Sequence, residues 1–151
     1  MPGDSVISVR RDGQRITHLF TRNHGDIPVQ AEQFVLATGS FFSNGLASDI
    51  DHIYEPLLNL QLTETLPRRE WTSADLFARQ RYLEAGVATD AHLHPADTQG
   101  AITNLRAVGA VLGGYNPLQE GCGAGVSLVT AMYAAEQILA QIGAAVTEEQ
   151  V

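Results

Sequence analysis

Two neighbouring stretches decide how this chain reads: Ile102-Thr103-Asn104-Leu105-Arg106-Ala107-Val108-Gly109-Ala110-Val111-Leu112-Gly113-Gly114, and Gly121-Cys122-Gly123-Ala124-Gly125-Val126-Ser127 just beyond it. The apolar run 105–108 stops at Gly109, a glycine-studded loop follows, and a long Ala-rich segment begins. Val126, Val129, Met132, Tyr133, Ile138 and Ile142 recur at helical spacing, which predicts a helix over 126–142. Gly143 is its expected C′ stop, and 147–151 its expected frayed tail. Strand, open turn and helix in that order belong to an α/β protein.

The rest of the chain extends this reading. Gln33-Phe34-Val35-Leu36-Ala37 is a second short apolar run, stopped by Thr38-Gly39-Ser40. An unbroken run of that length suits a strand covered on both faces, as in a parallel sheet. Upstream, Val6, Ile7 and Val9 lead into Arg11-Asp12-Gly13, and Ile16, Leu19 and Phe20 follow. That pattern predicts a hairpin turning at Asp12-Gly13. Asn23-His24-Gly25-Asp26 predicts a second turn, and Ile27-Pro28-Val29 an edge segment, since proline cannot donate to a ladder. Residues 5–31 then form an antiparallel β-meander. Residues 41–66 read as a long loop with one strand over 57–63. Ser73-Ala74-Asp75 is placed to cap a short helix through Leu76, Phe77, Arg79 and Arg81. Residues 86–90 read as a strand end and 92–99 as loop. The whole of 1–151 is expected to be one α/β domain, or α+β for these residues taken alone.

Composition narrows the function. At 151 residues the chain can bury one core. Hydrophobic residues make up 44% and charged residues 17%, an apolar balance for a domain that stands alone. The net charge is −8, and all nine basic residues are arginine. An acidic chain without a basic stripe argues against nucleic acid as a partner. No apolar run approaches the roughly 20 residues of a membrane helix, and no signal peptide is visible. One cysteine, Cys122, rules out an internal disulfide and a multi-cysteine metal site. The expected location is cytoplasmic.

The chemistry points to the glycine loop before the helix. Glycines let backbone N–H groups approach a flat ligand, and the helix aims its positive end at it. A flavin places its N1–C2=O edge, where negative charge gathers on reduction, at such a terminus. The plainer alternative is that these glycines only let helix and strand pack closely. A strand ending Ala37-Thr38-Gly39 likewise brings backbone near a dinucleotide cofactor, or is an ordinary strand-to-turn transition. Cys122 reads as a small packed residue or, with no resolving partner, a lone redox thiol. His92 and His94, with Asp90 and Asp97 nearby, lack a third ligand at credible spacing, so no metal is expected. His24, His92 and His94 each qualify as a general base, and Arg68, Arg69 and Arg106 as phosphate ligands or solvated charges. No catalytic residue is selected.

Longer matches carry a specific likeness. Met1-Pro2-Gly3-Asp4, Thr21-Arg22-Asn23-His24-Gly25-Asp26-Ile27-Pro28, Ala37-Thr38-Gly39-Ser40-Phe41-Phe42, Gly109-Ala110-Val111-Leu112-Gly113-Gly114 and Gln119-Glu120-Gly121-Cys122-Gly123-Ala124-Gly125-Val126 resemble the C-terminal part of the B-subunit family of anaerobic glycerol-3-phosphate dehydrogenases. The resemblance implies a flavoprotein subunit, with FMN or FAD, that works alongside a second flavin subunit and a membrane-associated iron–sulfur subunit. Such a complex oxidises sn-glycerol 3-phosphate to dihydroxyacetone phosphate and passes electrons toward quinone. By that likeness Gly39, Ser40, Gly109, Ala110, Gly121, Gly123, Ala124, Gly125, Val126 and Ser127 line the flavin. Residues 33–40 and 102–142 are then the flavin-proximal part.

Two departures stand out. The Gly-rich pyrophosphate turn of such proteins is absent, so the chain reads as a fragment beginning at an interior methionine. Ala110 also stands where many flavoproteins carry an acid. Without its neighbouring strands the parallel sheet would keep an unpaired edge, so homodimerisation or poor solubility is expected. Rival readings are a non-catalytic subunit-interaction module and a flavoprotein dehydrogenase with another substrate.

Overall fold

The computed structural model describes residues 3–148. Its centre is a two-stranded parallel sheet, β3 (Phe34–Leu36) against β8 (Leu105–Ala107), with Phe34 opposite Leu105 and Leu36 opposite Ala107. Side chains alternate across a strand, so Phe34, Leu36, Leu105 and Ala107 face one way. They join Ile16, Leu46, Leu60, Val87, Ile102 and Val111 in the core. Val35 and Arg106 face the other way: Val35 is half exposed and Arg106 fully buried. The other edge of β3 has no strand beside it among the described residues.

The hairpin β1 (Val6–Asp12) and β2 (Arg15–Thr21) pairs antiparallel. Its turn is one residue later than expected. Asp12 still pairs with Arg15, and Gly13-Gln14 make the turn, with Gly13 at φ 54°. Leu19 and Val29 exchange both backbone hydrogen bonds, at 2.9 and 2.8 Å. Asn104 clasps the hairpin to the sheet: Ile16 N–H donates to its Oδ1 at 2.8 Å and its Nδ2 donates to Ile16 O at 2.9 Å. No sequence pattern marked this residue, because one buried asparagine carries no periodicity.

Between the sheet strands the expectations fail in instructive ways. The strand read over 57–63 reduces to a single bridge, Leu62 to Val87, because Pro56 precedes it and Asn59 turns at φ 53°. Two-residue strands form on either side: β4 (Ala47–Ser48) with β5 (Ile53–Tyr54), and β6 (Ala96–Asp97) with β7 (Gly100–Ala101). The latter pair lies partly in the segment read as loop. The helix expected from Ser73 does not form. Leu76 and Phe77 are almost fully exposed, so no apolar face anchors it. Single 3-10 turns form instead at Arg68–Glu70 and Arg81–Glu84.

The helix α1 (Gly123–Glu148) begins three residues earlier than read and runs through Gly143. A mid-helix glycine costs about 1 kcal/mol, and the Ala-Ala pair that follows Gly143 favours continuing rather than stopping. Of the expected tail, Thr147 and Glu148 belong to α1; residues 149–151, like Met1 and Pro2, lie outside the described residues. The expected apolar stripe is divided. Val126, Tyr133 and Ile138 are half-buried, whereas Val129, Met132 and Ile142 are exposed.

Candidate functional site

Parallel pairing puts the carboxyl ends of β3 and β8 side by side, and Val108 N–H donates to Leu36 O at 3.0 Å to hold them there. A crevice outside strand carboxyl ends is where open α/β sheets bind ligands. The β3 end turns sharply. Gly39 sits at φ 82°, and Gly45 packs on it so closely that a Cβ would collide with the Gly39 carbonyl. Ser40 O accepts the N–H groups of Ser43 and Gly45, both at 3.0 Å. Gly39 and Ser40 are therefore fixed by this knot of small residues.

The β8 end is held by α1. Gly109 is buried at φ 73°, and its N–H donates to Thr130 Oγ1 at 2.9 Å. A Cβ on Gly109 would lie 3.3 Å from Ser127 Oγ. Ser127 in turn donates to Gly123 O at 2.9 Å, and Thr130 to Val126 O at 2.7 Å. Ser127 and the half-buried Val126 thus position the helix start rather than offer free polar atoms. Ala110, next along, is exposed.

The start of α1 is open. A Cβ at Gly121 or Gly125 would meet nothing within 4 Å, and the first helical turn holds no acidic residue. Its leading N–H groups have no partner within the helix. Gly121, Gly123, Ala124 and Gly125 therefore present backbone donors and a bare surface, a cradle that fits the flat edge of an anionic ring system. A hollow of about 80 Å³ is shared by Ser40, Phe41 and Phe42 with Pro117 and Leu118, bringing the β3 end beside the loop that leads to this cradle.

Gly113 and Gly114, grouped by sequence with that loop, serve packing instead. A Cβ on Gly113 would strike Thr63 and Gly86, and Gly114 N–H donates to Glu84 O at 3.0 Å. Glu84 is buried, and its carboxylate takes a forked pair from Arg79 and a bond from Asn116 Nδ2 at 3.2 Å. The Arg79 guanidinium, helped by Asn116, holds this carboxyl below its ordinary range.

The candidate bases separate. His92 Nδ1 lies 3.2 Å from Gln137 Oε1, and His94 Nδ1 donates to Leu105 O at 2.8 Å. Asp90 accepts the backbone N–H groups of His92 and His94, and Asp97 pairs with Arg11 at 2.6 Å. Among the described residues no three His, Cys, Asp or Glu side chains converge on a metal position. His24 Nδ1 lies 2.9 Å from Thr21 Oγ1 and 3.3 Å from Asp4 Oδ2. Thr21, with the Asn23 and Ser5 N–H groups and His24, overcomes burial and holds the Asp4 carboxyl at about 2. Arg68 donates to Ile50 O at 2.8 Å and stacks on Trp71, while Arg69 stands 3.8 Å from Glu70. Arg106 is fully buried and its Nη1 donates to Gln33 Oε1 at 3.0 Å, so it is not presented at the surface to a substrate phosphate. Cys122 is half-buried, its thiol 3.7 Å from Glu120 Oε2.

Sequence reasoning missed a cavity of about 530 Å³ beside the unpaired edge of β3, lined by Val6, Val9, Phe34, Leu36, Leu57 and Leu58 among others. Its walls come from stretches far apart in sequence, from Asp4 to Leu105, so no local pattern marks it. No helix among the described residues is long and apolar enough to cross a membrane.

The family model described as FAD binding domain matches residues 4–126. The B subunit of anaerobic glycerol-3-phosphate dehydrogenase from Yersinia pestis is 55% identical over 142 residues, which cover 94% of this chain and 34% of the relative. The protein of the same name from Yersinia enterocolitica is 53% identical over 139 residues, 92% of this chain and 33% of the relative. That of Pectobacterium atrosepticum is 45% identical over 139 residues, with the same coverage. The chain thus spans about a third of the length of these relatives. No solved structure matches it. With its open helix start at the carboxyl ends of two parallel strands, and a family match over 4–126, the chain belongs to the FAD binding domain family.

Proposed function

We propose that this chain is the part of an anaerobic glycerol-3-phosphate dehydrogenase, within its B subunit, that cradles the ring end of a flavin. The carrying observation is the uncapped, glycine-lined start of α1 at the carboxyl ends of β3 and β8. The 55% identity to the Yersinia pestis protein supports it. In this reading Gly121, Gly123, Ala124 and Gly125 offer backbone N–H groups to the ring. Gly39, Ser40, Gly109 and Ala110 bound the crevice, while Val126 and Ser127 set the helix in place. The flavin, FAD by the family and FMN as the alternative, supplies two-electron oxidation of an alcohol. The positive end of α1 stabilises negative charge at the ring edge.

The longer protein would oxidise sn-glycerol 3-phosphate to dihydroxyacetone phosphate within a complex. A second flavin subunit and an iron–sulfur subunit carry electrons toward quinone, and the latter provides the membrane association. These residues alone hold half a site, because they lack a Gly-rich turn for the pyrophosphate. Ordering a flavin without its phosphate contacts leaves too little net affinity, so the chain by itself is inactive. The bare edge of β3 supports a second role, self-association of the isolated chain through strand pairing. Adding FMN and FAD separately to the chain, and to a form joined to the remaining length of a relative, and following flavin fluorescence tests the proposal. Quenching by the joined form supports it; quenching by neither contradicts it.

A further inference from the structure

The outer side of α1 has a composition that solvent does not explain. Between Gly123 and Gly143 the helix carries one charged residue, Glu136. Thr130 on Gly109, Tyr133 on Ala91, the buried Ala134 and Gln137 at His92 mark the side seated on the protein. On the opposite side Leu128, Met132, Ala135, Leu139 and Ile142 follow one another at intervals of four and three, and all are exposed, Leu139 at 68%. That spacing is the seam of a helix packed on another helix. Apolar stripes on both the seated and the outer side mark a helix packed on two sides.

We infer that this outer face of α1 is interior in the longer protein, seated against a helix from the two-thirds of the relatives' length that this chain does not match. The inference rests on the reading that the chain is part of a longer flavoprotein polypeptide of that family. A second copy of the chain is the weaker occupant. A two-fold pair buries one self-complementary patch, and here two apolar surfaces stand apart: the helix face turned away from the sheet, and the edge of β3 with Val35 and its cavity. The length available supports one enclosing body, since the relatives are about three times as long as the stretch they share with this chain.

Cysteine accessibility tests it. In a Cys122→Ser background, Met132→Cys and Leu139→Cys are placed in the chain alone and in a chimera, the Yersinia pestis protein with its matching region replaced by this chain. Reaction with N-ethylmaleimide near the urea-unfolded rate in the chain alone, slowed at least about tenfold in the chimera, is the expected result. Equal rates in both overturn the inference. Slow reaction in the chain alone with a dimeric mass assigns the face to a second copy and also overturns it. Slowing that appears only after partner subunits are co-expressed assigns it to another polypeptide, with the same consequence. If the chimera is insoluble, the chain and the complementary two-thirds are co-expressed and recovered through a tag on the chain. Loss of the complement in Leu139→Glu, with unchanged helicity of the chain, supports the inference, and its retention contradicts it. Flavin absorbance of the chimera reports separately on the proposed function.

Discussion

Arg106 shows how a single residue escapes sequence reading. It reads in sequence as a phosphate ligand or a solvated charge, yet it is fully buried. It has one partner, Gln33 Oε1 at 3.0 Å, and Nε and Nη2 are unpaired among the described residues. Burial lowers its pKa, countered by Asp90 and Tyr133. A buried guanidinium so poorly paired is replaceable, and we expect Arg106→Met to be neutral or stabilising by about 1 kcal/mol in urea unfolding. A loss of several kcal/mol would mean the charge is well satisfied. Glycines divide by what they touch. Gly45→Ala, which drives a Cβ into the Gly39 carbonyl, should cost about 3 kcal/mol. Gly125→Ala meets nothing, so it should raise stability by about 0.5 kcal/mol while weakening flavin binding by the joined form. Equal affinity of Gly125→Ala and the parent for flavin would remove this glycine from the cradle.

At the scale of elements, the hairpin strands, β3, β8 and the presence of α1 were legible, because runs of Val, Ile, Leu and Phe bounded by Gly and Asp leave few alternatives. What was not legible depended on partners distant in sequence. The strand read over 57–63 became one bridge once Asn59 adopted positive φ, and the helix after Ser73 had no face to bury. Gly143 failed to end α1, since a C′ glycine acts only when the chain beyond it turns away. Glycines 113 and 114, part of the glycine-studded loop in sequence, dock on residues 63 and 84–86, a contact no local motif encodes. The junction between hairpin and sheet is equally non-local. Asn104→Ala would leave the Ile16 N–H and carbonyl unpaired in the interior, and we expect a loss of about 3 kcal/mol with the hairpin exchanging amide protons first. The start of β1 adds a pH signature. The Asp4 carboxyl, at about 2 in the folded chain against 3.8 ordinarily, contributes stability that is present above pH 4 and lost as pH falls toward 2. The stability gap between the parent and Asp4→Asn should therefore shrink over that window in urea titrations, and a gap that stays constant would place the interaction elsewhere.

Across the whole molecule, the edge of β3, the cavity of about 530 Å³ near it and the outer face of α1 are apolar surfaces. We expect the α1 face to be covered by the length that the relatives have beyond their match to this chain. The family was legible in the sequence because its motifs are long and ordered. For the site, the sequence marks the glycines at 121–125, and a Cβ at Gly121 or Gly125 would meet nothing within 4 Å; the bonds of Ser127 and Thr130 to the first turns of α1 depend on the fold and carry no sequence signal. On this account the isolated chain carries half a crevice, and its flavin affinity depends on the rest of the longer protein. The most direct test is fluorescence titration of FAD and FMN into the chain alone and into the chain joined to the remaining length of a relative. We expect quenching by the joined form only. Quenching by neither form would contradict the flavin cradle, and equal quenching by both would contradict the half-site.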